Sequence, residues 1–176
     1  AECVINGDAT TAEDMIGRVH KNGVEVDPDM ARHLEPYIDM ARKRISARAE
    51  VYGEIPLGPG AMIAGTSDMH SWSSVVDFHI DDLKYGYGIV EPTTLQLTAY
   101  MAIVYAQGVR APMWHLGIYQ PRAVHSAGTY RTRSLTLEQV QNEVQSLITT
   151  AHAIVEGRTQ GAQPGDQCNH CRGAHK

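Results

Sequence analysis

No stretch of the chain stays apolar over the ~20 residues that a membrane-spanning helix needs, and no basic-then-apolar leader opens it. Both absences predict a soluble, intracellular, cytoplasmic protein with no membrane partner. Cysteine is scarce: the 176 residues contain three, at Cys3, Cys168 and Cys171. That is too few, and too lopsided, for the disulfide framework of a small secreted domain. Positive charge is the minority sign, with 15 Lys and Arg against 20 Asp and Glu, a net −5. A protein that coats polyanions generally is thereby disfavoured, since non-specific affinity for nucleic acid grows with each phosphate neutralised. A nuclease is not, because a bound metal and a few arginines supply positive charge locally. There is no internal repeat, and the nine histidines show neither H-E-x-x-H nor paired-ligand spacing.

What is present suits one domain with a sizeable core, the apolar share being 43%. Ala1 to Gly7 resembles the last turn of a helix entering an Asn-Gly turn, with Cys3 read as a small core residue. Asp27 as N-cap and Pro28 at the first helical position open a helix, with Met30, Leu34, Tyr37, Ile38, Ala41 and Ile45 on its buried face. Pro36 should kink it. Arg42, Lys43, Arg44 and Arg48 read as a solvated face complementing the helix dipole. Strands are predicted over 51–57, 61–69, 75–84, 113–120 and 128–133, and helices over 94–107 and from Thr136, where Thr136 and Gln139 form a capping box, to Gly157. Residues 1–157 thus form the core and 158–176 a weakly structured tail.

The chemistry concentrates between Gly65 and Tyr100. Asp68 closes one strand-like run, and Asp82-Leu83-Lys84 closes the next. Side chains alternate along a strand, so Val76, Phe78, Ile80, Asp82 and Lys84 share a face while Asp81 points away. That parity selects Asp82 as the partner of Lys84. Two carboxylates and a lysine on neighbouring strands suit a divalent metal beside a phosphodiester. Mg²⁺ or Mn²⁺ would take Asp68, Asp82 and the Leu83 carbonyl as ligands, and Lys84 would orient water or stabilise developing charge. Gln96 and Tyr100, four apart, share one face of the helix that follows.

G-T-S-D, I-D-D-L-K-Y-G-Y-G and Q-L-T-A-Y resemble the PD-(D/E)XK nuclease superfamily, in particular its RecB-like branch. The nearest likeness is to phage and prophage exonucleases related to the iron–sulfur nucleases of CRISPR adaptation. It runs from about Asp14 to the C-terminus and takes in Ile118 to Arg122 and the stretch ending at Cys171. The resemblance implies an α/β (α+β) fold, a restriction-endonuclease-like core with a central mixed sheet flanked by helices. It implies a metal-dependent DNA exonuclease of phage recombination or DNA processing, in the bacterial cytoplasm, working with DNA and with a recombination partner protein. Asp68 and Asp82 correspond to the metal carboxylates and Lys84 to the catalytic lysine. Gln96, Tyr100 and Arg122 correspond to DNA contacts.

Relatives hold a [4Fe–4S] cluster through C-x-x-C-x5-C and one distant upstream cysteine. Cys168 and Cys171 match the first two of that trio, and the third would fall one position beyond Lys176. Cys3 lies too late for the upstream ligand, and His20 is not in the G-x-x-x-H setting of the family's early histidine. The expectation is therefore a chain trimmed at both ends. A rival for the tail is zinc held by the two cysteines with His170 or His175.

Two other functions fit the sequence: a silent nuclease fold that grips DNA or a partner, and a small zinc or iron–sulfur protein. Among remaining residues, Trp114 reads as core. Trp72 and Tyr87 are open between packing and stacking on unpaired bases. Arg110, Arg131 and Arg133 read as ordinary surface arginines, and Glu54 as a strand-edge charge with additional metal ligation as its alternative.

Overall fold

The computed structural model describes residues 1–7, 11–20 and 23–158. Its elements are α1 (Glu2–Ile5), a 3₁₀ turn (Glu13–Met15), α2 (Pro28–Arg42), β1 (Ile45–Gly58), β2 (Ala61–Trp72), β3 (Asp77–Leu83), α3 (Leu95–Ala106), β4 (Met113–Tyr119), β5 (Tyr130–Thr136) and α4 (Leu137–Val155). One sheet runs in the order β1-β2-β3-β4-β5, antiparallel except for the parallel β3–β4 pair. The expected class, an α+β fold with a mixed sheet flanked by helices, is what forms. No described helix is long and apolar enough to cross a membrane.

The parallel pair requires a crossover, and α3 supplies it. Thr94 caps α3 by accepting from Leu97 N, and the helix buries Leu97, Met101, Ala102, Ile103 and Val104. With Val140 and Val144 of α4 it covers one face of the sheet, where Phe78, Ile80, Trp114, Leu116, Ile118 and Leu135 lie. The other face carries α2, whose Tyr37 and Ala41 pack on Met69 and Tyr119. Asp27 caps α2 through Met30 N, with Pro28 in its first turn. The Thr136/Gln139 capping box of α4 is complete.

Several boundaries differ from the sequence reading. Ile45 is not on the helix face: α2 ends at Arg42, and Ile45 opens β1 opposite Trp72, 54% exposed. Apolar spacing alone continues the helical period to Ile45, but the chain turns at Lys43 and Ser46 takes a left-handed φ of 52°. β1 and β2 are longer than expected and form a ribbon, so His70 to Trp72 belong to β2 rather than to a polar connection. Val76 precedes β3 and is exposed, off the Phe78–Ile80–Asp82 face. Pro36 sits inside α2, which runs on through it although the proline lacks one backbone donor.

Candidate active site

Every residue of the candidate site derives its position from the end of the sheet at which β3 and β4, being parallel, both finish. Asp82 follows Phe78 and Ile80 on the α3 face and pairs in register with Ile118. It is 1% exposed, and neither carboxylate oxygen has a hydrogen-bond partner among the described residues. Its compensation is an ion pair: Lys84 Nζ stands 2.7 Å from Asp82 Oδ2. Lys84 continues the ladder beyond β3 by donating its N–H to Tyr119 O. The same ammonium donates to Gln96 Oε1 at 2.9 Å, and Gln96 Nε2 donates to Tyr100 Oη at 2.7 Å. Asp82, Lys84, Gln96 and Tyr100 therefore form one continuous polar chain from a buried carboxylate to an exposed helix face.

Gly65 makes room for that helix face. A Cβ there would stand 2.8 Å from the Tyr100 ring, closer than real side chains pack. A glycine in the G-T-S-D run thus permits close approach of α3 to β2 at the site.

Asp68 joins from β2. Met69 pairs with Asp81 in the β2–β3 register, so the next step sets Asp68 opposite Asp82. Leu83 N donates to Asp68 Oδ2 at 2.7 Å. The Asp68 pKa is pushed up to about 6, first by burial and then by the nearby Asp82 charge, while the Leu83 N–H and Lys84 oppose the shift. Two carboxylates crowded in this way favour a cation between them.

The strand alternation slips at Asp68. Ser67 lines a narrow space beneath Tyr100 together with Val51 and Gly65, whereas Met69, two residues on, packs with Tyr37 on the opposite face. In a regular strand these two would share a face. Directly across the ribbon, between the pairs Ala49↔Met69 and Val51↔Ser67, lies Glu50 with a left-handed φ of 54°. Glu50 and Asp68 also line a cavity of about 270 Å³ with Tyr37, Leu83 and His20. Glu50 is the site neighbour that the sequence reading missed; its charge contributes to the raised Asp68 pKa. Glu54, the acid considered there, is exposed and accepts from Tyr52 Oη.

The other candidates separate clearly. Arg122 sits over the rings of Tyr87 and Tyr85, its carbon 4.0 and 4.9 Å from their centroids, and donates to Tyr87 Oη. Trp114 is fully buried, and Trp72 packs edge-on against Phe78. Arg110 stacks on Tyr105, Arg133 pairs with Glu143, and Arg131 is buried. Arg42 pairs with Glu35 and Asp39 rather than standing as free surface charge. Cys168, Cys171, His170 and His175 lie outside the described residues, as does the whole of 159–176.

The donors suit an oxygen-loving divalent ion. Asp82 offers a buried Oδ1 with no hydrogen-bond partner among the described residues, and Asp68 lies close enough for the Asp82 charge to raise its pKa. Among the described residues no three His, Cys, Asp or Glu side chains form a ready-made cage. An ion held here would rest on two carboxylates, with the Leu83 carbonyl and water completing its shell, a common arrangement for Mg²⁺.

No family model matches the chain, and no curated protein matches it. Among solved structures, it is similar to a protein from Eubacterium rectale provisionally described as an exonuclease, with 13% identity over 88% of this chain and a TM-score of 0.42. It is similar also to the protein SSO0001, with 14% identity over 82% of this chain and a TM-score of 0.42. The chain spans 64% and 65% of their respective lengths. Likenesses this distant assign no role to any residue.

Proposed function

We propose that this protein is a metal-dependent DNA nuclease, an exonuclease of the RecB-like branch that serves phage DNA recombination or processing. The observation that carries the reading is the unbroken chain Asp82–Lys84–Gln96–Tyr100 beside Asp68, at the end of the sheet where the parallel strands stop. Crevices outside the carboxyl ends of parallel strands are where open α/β sheets take ligands.

Asp68 and Asp82 would hold Mg²⁺ or Mn²⁺, which supplies an activated water and charge neutralisation at phosphorus. Lys84, its Nζ held between Asp82 and Gln96, presents a positive charge fixed in place before the phosphate arrives. Such a donor does not have to reorganise as negative charge develops on the phosphoryl oxygens. Gln96 and Tyr100 position the ammonium and offer a polar edge to the DNA backbone. Arg122 supplies a second cation to the strand. The terminal cysteines would serve an iron–sulfur cluster in the same proposal.

A second reading rests on one observation. The Lys84 ammonium is already engaged by Asp82 Oδ2 and Gln96 Oε1. A lysine so committed suits a fold that grips DNA without cutting it.

Digestion of end-labelled linear DNA with Mg²⁺ or Mn²⁺ distinguishes the two. Wild-type protein should shorten the label only with metal, and Lys84→Ala should lower the rate at least about a hundredfold, the usual effect of removing one preorganised donor. Removing Lys84 also strips the partner from a buried carboxylate, so circular dichroism must show the variant folded. Equal cutting by both proteins overturns the assignment. DNA binding without cutting by either establishes the second reading.

A further inference from the structure

The loops that follow β3 and β4 leave the sheet side by side, because the strands are parallel and Lys84 N is bonded to Tyr119 O. The first loop carries Tyr85 and Tyr87, immediately after Lys84. The second carries Arg122. Together with His33 of α2 they form a row of flat groups. His33 meets Tyr85 edge-on at 5.9 Å, and the Arg122 guanidinium lies over both tyrosine rings. Tyr87, at the outer end, is 68% exposed.

Beneath this exposed row the support is buried and polar. Gln120 is fully buried, and its amide donates to Gly86 O at 3.0 Å and Gly88 O at 2.6 Å. Its oxygen accepts from Val90 N at 3.2 Å and from Arg131 at 2.7 Å. Arg131, 5% exposed, donates in turn to Val90 O and Gly128 O. A buried amide and a buried guanidinium cost desolvation, which these hydrogen bonds offset except at Arg131 Nε, where Glu91 Oε2 stands 4.0 Å away. Here they hold the backbone of a loop whose Tyr87 stays largely exposed. The network fixes Tyr87 in place without covering it.

We propose that Tyr87 and Arg122 form a stacking platform for the unpaired bases of a single-stranded DNA end, which the loop delivers to Lys84. This rests on the nuclease reading for the identity of the substrate, and it adds the strand preference. An aromatic ring stacks on any base, and a guanidinium beside it contributes both a π-face and a charge for the backbone. Inside a duplex both faces of each base are covered by its neighbours, and only the terminal pair leaves one face open, too wide to enter such a row as a single base does. Gln120 and Arg131 are positioning residues in this scheme: they act through the loop.

The test separates binding from cutting. The full chain, in EDTA so that no hydrolysis intervenes, is titrated into a single-stranded oligonucleotide with 2-aminopurine at its terminal positions, and into the same sequence as a blunt duplex. The platform predicts tighter binding of the single strand and a change in 2-aminopurine fluorescence as its base stacks. Tyr87→Ala should weaken single-strand binding by about tenfold or more and abolish the fluorescence change, leaving duplex binding unaltered. Tyr87→Phe should keep both signals. Arg122→Lys keeps the charge but loses the flat face, and should weaken the single strand selectively. Equal affinity for both DNAs, or a Tyr87→Ala protein that binds the single strand like wild type, overturns the platform. Failure of the nuclease reading would register separately, as metal-dependent cutting that survives Lys84→Ala while these binding ratios hold.

Discussion

Asp81 and Asp82 are adjacent, chemically identical and almost equally buried, at 0% and 1% exposure, yet they occupy different environments. Asp82 looks into the α3 face, where Lys84 at 2.7 Å compensates Oδ2 and Oδ1 has no hydrogen-bond partner among the described residues. Asp81 looks into the α2 face, where Tyr130 donates to its Oδ1 at 2.6 Å. Burial pushes the Asp81 carboxyl up to about 6, with the Tyr130 bond and the Arg44 charge opposing it. The period of two in a strand is what separates them. Both burials carry a desolvation cost; one is met by an ammonium that can also face a phosphate, the other by a phenol that cannot.

The widest separation between the two should be in activity. Asp82→Asn removes the proposed charged metal ligand and the partner of Lys84, and under the nuclease reading cleavage of end-labelled DNA should fall at least about a hundredfold. Asp81→Asn should cut close to the wild-type rate, because that side chain faces away from Lys84. Comparable losses in both variants would show that the sheet face does not decide the role.

Next in size is the packing around Asp81. Gly117 is its neighbour on β4, and a Cβ added there would collide with Asp81 Oδ1 and lie 2.8 Å from the Tyr130 ring. Gly117→Ala should destabilise the fold by about 1–3 kcal/mol in urea denaturation, the usual cost of overpacking. Combining it with Asp81→Ala, which vacates that space, should cost less than the sum of the two single changes. Strict additivity would mean that the added methyl is accommodated elsewhere.

Much of this contrast was legible in the sequence. Alternation alone placed Asp82 with Ile80 and Phe78 and turned Asp81 away, and Thr136 with Gln139 marked the start of α4. These signals are local, set by side-chain period and by caps. The slip at Asp68 was not legible, because it depends on Glu50 adopting a left-handed φ across the ribbon, and Glu50 is neither Gly nor Asn. Nothing nearby marks it. The length of β1 was hidden for a related reason: the run from Ala41 to Ile45 carries helical spacing, and only pairing with Trp72 draws Ile45 into the sheet. Gln120 reads as a strand terminus, and its role depends on three backbone groups about thirty residues earlier in the chain. Long-range polar contacts leave no periodic trace.

The smallest expected effect is the most diagnostic of Asp81 itself. A carboxyl whose folded pKa is raised to about 6 binds its proton more tightly in the native state than in the unfolded chain. Unfolding free energy therefore declines as pH rises from about 4 to about 6, and the penalty is complete above that. Asp81→Asn removes the ionisation while keeping an oxygen to accept from Tyr130. Its new amide protons, buried where Oδ2 has no hydrogen-bond partner among the described residues, offset part of the gain. The net should be stabilisation on the order of 1 kcal/mol at pH 7.5, shrinking toward pH 4 as both states of the wild type become protonated. His79 works in the opposite sense: burial first, then the Arg44 and His115 charges, hold its pKa down to about 3. Below about pH 6.5 the unfolded imidazole takes up a proton that the folded one refuses, so its contribution falls with acid. With Asp81 silenced only the raised Asp68 carboxyl still opposes that slope, and the Asn variant should lose stability to acid more steeply than wild type. Urea titrations at pH 5, 6 and 7.5 check both signs. A wild-type-to-variant difference that stays constant across them would mean that Asp81 acts through packing, not through its charge.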